Sequence, residues 1–170
     1  VWAKIPEKPK EWENIIVNSD MEGDDNSCFY VTEQGVGGPF LAPFTAGIGV
    51  EGSKAVKVQS ADAPAYSWDT QFFIRLPYQL PAGTQYKVQF DYKADEAAKS
   101  TTQAHANPGD YIHYIGIGDV NFTTDWQTFE FESVISGDQS KEDKPMQSIA
   151  FNLAELKTAN VYIFDNVKIA

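Results

Sequence analysis

From Glu13 onward, apolar and polar residues alternate with a period of two, the spacing at which successive side chains leave opposite faces of a strand. In Tyr86–Lys93, Tyr86, Val88, Phe90 and Tyr92 form an inward face, and Lys87, Gln89, Asp91 and Lys93 an outward one. Thr70–Leu76 sets Phe72, Ile74 and Leu76 against Gln71, Phe73 and Arg75, and Lys54–Gln59 alternates in the same way. Strands are also predicted at Asn14–Asn18, Cys28–Glu33, Thr101–Ala106, Tyr111–Gly116, Gln127–Ile135, Gln147–Leu153 and Val161–Ile169. Turn signals such as Pro108-Gly109-Asp110 and Ser136-Gly137-Asp138 separate them. About ten short strands without a long helix predict an all-β sandwich or barrel. Glu96–Lys99 is expected to form one helical turn at most. Gly35–Gly52, with six glycines and two prolines, is predicted to be a long loop. Residues 1–12, with Pro6 and Pro9 among charges, read as a linker or lead-in, and residues 13–170 as a single domain.

Composition narrows the partners. The net charge is −11, from 13 basic and 24 acidic residues in 170, so nucleic acid and anionic membranes would be repelled. A neutral ligand or a cation is compatible. No apolar run approaches the roughly eighteen residues needed to cross a bilayer. The single cysteine, Cys28, stands beside Phe29 and Tyr30 and reads as a small core residue. Aromatic residues make up 14% of the chain, a content that suits strands and sugar-binding faces. The chain starts at Val1 with no signal peptide in view, as expected for a piece of a larger protein.

Five segments, in order, carry a family resemblance: N-S-D-M-E at Asn18–Glu22, E-G-S-K with A-V-K-V at Glu51–Val58, S-W-D-T-Q-F at Ser67–Phe72, I-A-F-N-L at Ile149–Leu153, and Y-I-F-D-N-V-K-I at Tyr162–Ile169. Together they resemble family 4 carbohydrate-binding modules and their family 22 relatives, over about Asn14 to Ile169. The resemblance implies a jelly-roll β-sandwich of two antiparallel sheets, non-catalytic and secreted. It also implies attachment to a glycoside hydrolase such as a family 10 endo-xylanase. The expected ligand is a single soluble chain of β-1,4-xylan, or alternatively mixed-linkage β-glucan.

A polysaccharide offers apolar C–H faces to aromatic rings and hydroxyl edges to amides and imidazoles. Three strands carry that mixture opposite their apolar side: Gln71 with Phe73, Gln103 with His105, and Tyr111 with His113. Asn152 alternates away from Phe151 and Leu153 and can face the same way. The resemblance places the family's stacking tryptophan at Trp68, with Tyr111 or Tyr114 as the opposing aromatic; parity alone does not choose between the two. Tyr66 reads as a rim residue. Isolated rings among amides suit a groove around one chain more than a flat crystalline surface. The resemblance also implies one structural Ca²⁺, held by the side chains of Glu22, Glu51 and Asp165 and the carbonyls of Asp20 and Lys54. Asp20 and Glu22, two apart, would project to one side.

Two other classes compete. A β-sandwich glycosidase needs paired carboxylates, and Glu130 with Glu132 is the one same-face pair on a strand, reading as a solubilising face. No nucleophile elbow, zinc-protease or phosphate-loop motif is present, so no catalytic residue is expected. A cell-surface adhesion or docking sandwich is the second competitor.

Overall fold

The computed structural model describes residues 12–33, 37–140 and 145–170. Twelve strands lie among them: β1 (Phe29–Glu33), β2 (Gly37–Leu41), β3 (Phe44–Thr45), β4 (Ala55–Gln59), β5 (Gln71–Arg75), β6 (Gln85–Ala94), β7 (Ala98–His105), β8 (Tyr111–Ile115), β9 (Val120–Phe122), β10 (Gln127–Val134), β11 (Ser148–Asn152) and β12 (Val161–Ile169). They form two antiparallel sheets. The first runs β2-β1-β5-β11-β7-β8, with β9 added on β7; the second runs β10-β6-β12-β4-β3. This is the jelly-roll β-sandwich that the alternation and the resemblance imply.

The period-two faces close on each other. Phe72 and Ile74 of β5 and Ile149 and Phe151 of β11 are buried against Val88 and Phe90 of β6 and Phe164 of β12. Rings cross the interface: Phe72 stacks on Phe164 at 4.1 Å, and Phe90 meets Phe151 edge-on at 5.3 Å. Burying one such ring contributes about 1.5–3 kcal/mol, so this layer sets the spacing of the sheets. Cys28 lies in this core, where burial pushes its thiol up.

Three expected elements differ. Asn14–Asn18 is not a strand. Its backbone meets the end of β12 only locally, through Ile15 N–H to Ile169 O (2.7 Å), and the Asn14 amide oxygen accepts from Ile16 and Ile169 instead of leaving a ladder free. Within Gly35–Gly52, the described residues include β2 and β3, which were expected to be loop. β2 occupies the sheet edge, where Pro39 removes a donor that no neighbouring strand needs. Glu96–Lys99 contains no helical turn: Ala98 already belongs to β7, whose first three residues pair with β9, a strand too short to stand out in the pattern. The lead-in at residues 1–11 lies outside the described residues.

Candidate functional site

The outer face of the first sheet is built from the residues that alternation turns away from the core. Registers align them in rows across the strands. One row is Thr32, Gln71, Asn152 and Thr101; the next is Tyr30, Phe73, Ala150 and Gln103; the third brings Arg75, Ser148, His105 and Tyr111 together. A cleft of about 370 Å³ opens on this face, lined by Trp68, Gln71, Gln103, His105, Gly109 and Tyr111. That volume lies within the roughly 300–1,000 Å³ usual for small-ligand sites.

Trp68 sits in a single 3-10 turn, Ser67–Asp69, just before β5. The Asp69 carboxylate holds the turn by accepting from the N–H groups of Ala65 (2.8 Å) and Tyr66 (3.1 Å). The indole is 51% exposed, and one of its faces is taken: the Tyr66 ring stacks on it at 4.7 Å with planes 5° apart. Tyr66 therefore buttresses Trp68 and leaves one indole face for a ligand.

Below Trp68 the polar side chains form a directed chain. Thr101 donates to the Glu155 carboxylate (3.0 Å), Asn152 Nδ2 donates to Thr101 Oγ1 (2.9 Å), and Gln71 Nε2 donates to Asn152 Oδ1 (2.9 Å). Gln71 Nε2 and His105 Nε2 then make long contacts to Gln103 Oε1, at 3.5 and 3.4 Å. An ionised carboxylate only accepts, so Glu155 sets the sense of every donor along the chain. Gln71 Oε1 is left as an acceptor and Gln103 Nε2 as a donor toward the cleft. Glu155 was not singled out by sequence, because it lies outside the strands on the loop after β11.

His105 is 2% exposed and burial lowers its pKa to about 4, against an opposing pull from Asp110, so the ring is neutral at pH 7. Its Nδ1 is buried without a hydrogen-bond partner among the described residues. Phe73 packs edge-on against it at 5.4 Å and Tyr111 at 5.6 Å.

Gln71, Gln103, His105, Tyr111 and Trp68 thus converge on the cleft. Phe73 does not line it: the ring points to the outer face yet is fully buried, and serves as floor. Asn152 is also buried, with both ends of its amide used within the chain, so it positions Gln71 instead of meeting a ligand. Tyr114 is turned away. A bulge between Ala104 and His105, with His113 at φ 63°, sets Tyr111 opposite His105 and Tyr114 opposite Ala104, so Tyr114 packs on the core. His113 is exposed beside the cleft, its ring 4.6 Å from that of Tyr111.

The second expected cluster lies at the far end of β12. A bulge between Asp165 and Lys168, with Asn166 at φ 50°, turns Asp165 into full burial. Its carboxylate accepts from Val50 N–H (3.0 Å), Ser53 Oγ (2.9 Å) and Asn166 N–H (2.8 Å). Burial nevertheless raises its pKa, and the negative charge of Glu22 adds to the rise. Glu22 Oε1 accepts from Lys54 N–H (2.8 Å). Gly49 is required here: a Cβ would lie 2.6 Å from Asp165 Oδ2 and 2.8 Å from the Lys54 carbonyl. Asp165, Glu22 and the Lys54 carbonyl are hard oxygen donors of the kind Ca²⁺ takes. The Asp20 carboxylate caps Glu22 N–H (3.1 Å), with Met21 between them at φ 61°. Glu51 is exposed in the Val50–Gly52 turn at φ 55°. Among the described residues, no three acidic, histidine or cysteine side chains are gathered closely enough to hold a metal.

Glu130 and Glu132 are exposed on edge strand β10 of the other sheet; Glu132 lies 3.9 Å from Lys87 and lines a pocket of about 210 Å³ with Trp12, Gln85, Ser133 and Val134. Among the described residues no helix is long and apolar enough to cross a membrane.

Fold and cleft together define a two-sheet β-sandwich with an open cleft on one face. Residues 13–144 match the model of the carbohydrate binding domain family CBM_4_9, and the chain belongs to that family. It is a non-catalytic binding module. No curated protein matches it in sequence. Among solved structures it is similar to a family 4 module (23% identity, 91% of this chain and 98% of that one, TM-score 0.62). It is also similar to the N-terminal cellulose-binding domain of Cellulomonas fimi β-1,4-glucanase C (16%, 89% and 91%, TM-score 0.54). A third is the Clostridium thermocellum xylanase 10B fragment carrying a family 22 and a family 10 module, solved with xylohexaose (12%, 94% of this chain and 29% of that one, TM-score 0.58). At these identities the structures speak for the fold.

Proposed function

We propose that this module binds single, soluble chains of β-1,4-xylan in the Trp68 cleft. It thereby holds a covalently attached glycoside hydrolase, of the family 10 xylanase kind, on plant cell-wall polysaccharide outside the cell. The observation that carries this reading is one exposed indole face standing over a row of oriented amides. The indole matches the C–H face of a sugar ring, and Gln71 Oε1 and Gln103 Nε2 match hydroxyl edges. A net charge of −11 suits a neutral chain. The xylanase 10B fragment, solved with xylohexaose, supplies the choice of xylan; the cellulose-binding relative makes a β-glucan the competitor. Affinity electrophoresis against soluble xylan, mixed-linkage β-glucan and hydroxyethylcellulose tests it. Retardation by xylan is expected. Retardation by a β-glucan alone would replace the substrate and keep the cleft; no retardation by any would overturn the reading.

For the Asp165 cluster we propose one structural Ca²⁺, held by Asp165, Glu22 and the Lys54 carbonyl, tying the segment before β1, the loop before β4 and the end of β12. The ion would offset the cost of burying the Asp165 carboxylate beside Glu22. A ligand that binds only the folded state stabilises by mass action, about 2.7 kcal/mol at a hundredfold excess over Kd. Chelation should therefore lower Tm in the parent and leave Glu22→Gln unmoved, with sugar affinity unchanged in both. Identical melting with and without chelator would contradict the site.

A further inference from the structure

The outer face of the second sheet carries an indole among amides for a second time. Ile15 N–H donates to Ile169 O (2.7 Å), and the Asn14 amide oxygen accepts from Ile16 and Ile169, which fixes this segment beside the end of β12. Just upstream, Trp12 lines two hollows, one of about 200 Å³ with Asn14, Lys87, Gln89 and Lys168, the other of about 210 Å³ with Gln85 and Glu132. Register sets the floor of the first: Gln89 of β6 lies between Lys168 of β12 and Glu130 of β10. Most outward side chains of β6 are already engaged. Lys93 lies 5.4 Å from the centre of the Trp126 ring, Asp91 accepts from Thr128 Oγ1 (2.6 Å) and Asn166 Nδ2 (2.8 Å), and Lys87 lies 3.9 Å from Glu132. The Gln89 amide has no hydrogen-bond partner among the described residues; it is half-buried, yet its polar atoms, unlike His105 Nδ1, keep access to solvent. The Asn14 oxygen is used twice, which leaves its Nδ2 to donate.

We propose that Trp12 and Gln89 form a second, weaker binding site for a neutral glycan chain, on the sheet opposite the cleft. This site rests on the carbohydrate reading of the cleft and extends it to the other face. The indole meets the C–H face of a sugar ring, Gln89 both donates and accepts, and Asn14 Nδ2 and Lys168 Nζ donate to hydroxyl or ring oxygens. Two carboxylates, Glu132 and Glu130, stand beside the positions of Lys87 and Gln89 and offset the two ammonium groups, so a neutral sugar suits the hollow better than an anion. Each hollow is smaller than the cleft, and Trp12 is half-buried where Trp68 is 51% exposed, which makes this the weaker site. The two sites lie on opposite outer faces of the sandwich, so one short oligosaccharide cannot fill both. A polysaccharide can, and a module built this way holds two chain segments at once.

The chain has four tryptophans, and their indole N–H signals in an isotope-labelled sample report each site separately. The full chain is titrated with xylohexaose, and separately with cellohexaose, into the millimolar range. The Trp68 signal should move first. The Trp12 signal should move in a second phase, with a Kd roughly tenfold higher or more, the scale of one or two hydrogen bonds fewer. The Trp126 signal, next to Lys93, should stay in place. In Trp68→Ala the Trp12 phase should persist unchanged. In Gln89→Ala it should weaken about two- to tenfold, the scale of one hydrogen bond, with the Trp68 phase as in the parent. A Trp12 signal that stays still while Trp68 moves would overturn the second site and leave the cleft. So would a Trp12 shift that vanishes in Trp68→Ala, or one that Gln89→Ala leaves at full affinity. Movement of Trp12 with Trp68 still would uphold this site and overturn the cleft. No movement with either sugar would overturn the carbohydrate reading itself and this site with it.

Discussion

Trp68 and Phe73 lie five residues apart, both on the side of the first sheet that turns from the core, and the fold treats them oppositely. Trp68 is 51% exposed and stacked on one face by Tyr66, while Phe73 is fully buried and packed edge-on against His105. The first can gain from contact with a ligand; the second has already made its contacts within the fold. Facing the cleft and being available to a ligand are thus separate properties, decided by what covers the sheet and not by strand parity.

The largest expected effect lies at the buried ring. Phe73→Ala removes a fully buried ring and should cost about 3–5 kcal/mol of stability, read as a shift of the urea midpoint. A change within a few tenths of a kcal/mol would mean that this ring is not buried. Next is the pH response of His105. Its folded pKa, about 4, lies below the ordinary 6.5, so the unfolded chain takes up a proton that the folded one does not. The resulting stability is fully present above pH 6.5 and is lost as pH falls toward 4, by roughly 3 kcal/mol at most. Asp165, whose pKa is raised, works in the opposite sense as its carboxylate protonates. Comparison with His105→Gln isolates the histidine: the variant should lose less stability between pH 7 and 4.5 than the parent. Equal losses would contradict the burial of a neutral imidazole.

In the cleft the expected effects are smaller and fall on affinity. Gln103→Ala should weaken binding by about 0.5–1.5 kcal/mol, the net worth of one hydrogen bond. Glu155→Ala should weaken it by a similar amount without touching the ligand, because Thr101, Asn152 and Gln71 lose their common orientation. A titration in which Glu155→Ala binds as the parent does would show that the amides hold their orientation without the carboxylate.

Much of this was legible in the chain. Alternation correctly turned Phe72, Ile74 and Leu76 inward and brought Gln71 and Gln103 to one outer face, because β5 and β7 are regular. It failed where the backbone departs from period two. The bulge around His113 sets Tyr111, where a regular register would set His113, opposite His105, and the positive φ at Met21 undoes the pairing of Asp20 with Glu22. Edge strand β2 hid inside a glycine-rich stretch that resembles loop, since an edge tolerates the residues that a central strand excludes. Gly109 lies against Pro39, seventy residues away, a contact that no local pattern announces.

The central claim is that the exposed face of Trp68 carries the ligand. Isothermal titration of the parent and Trp68→Ala with xylohexaose, each checked for an unchanged fold by circular dichroism, tests it most directly. Stacking of a flat ligand on an aromatic ring is worth about 1–3 kcal/mol, by analogy with nucleic-acid bases. The parent should therefore bind, and Trp68→Ala should fold and lose all or nearly all measurable heat. A folded Trp68→Ala that binds xylohexaose as tightly as the parent would place the site elsewhere on the molecule.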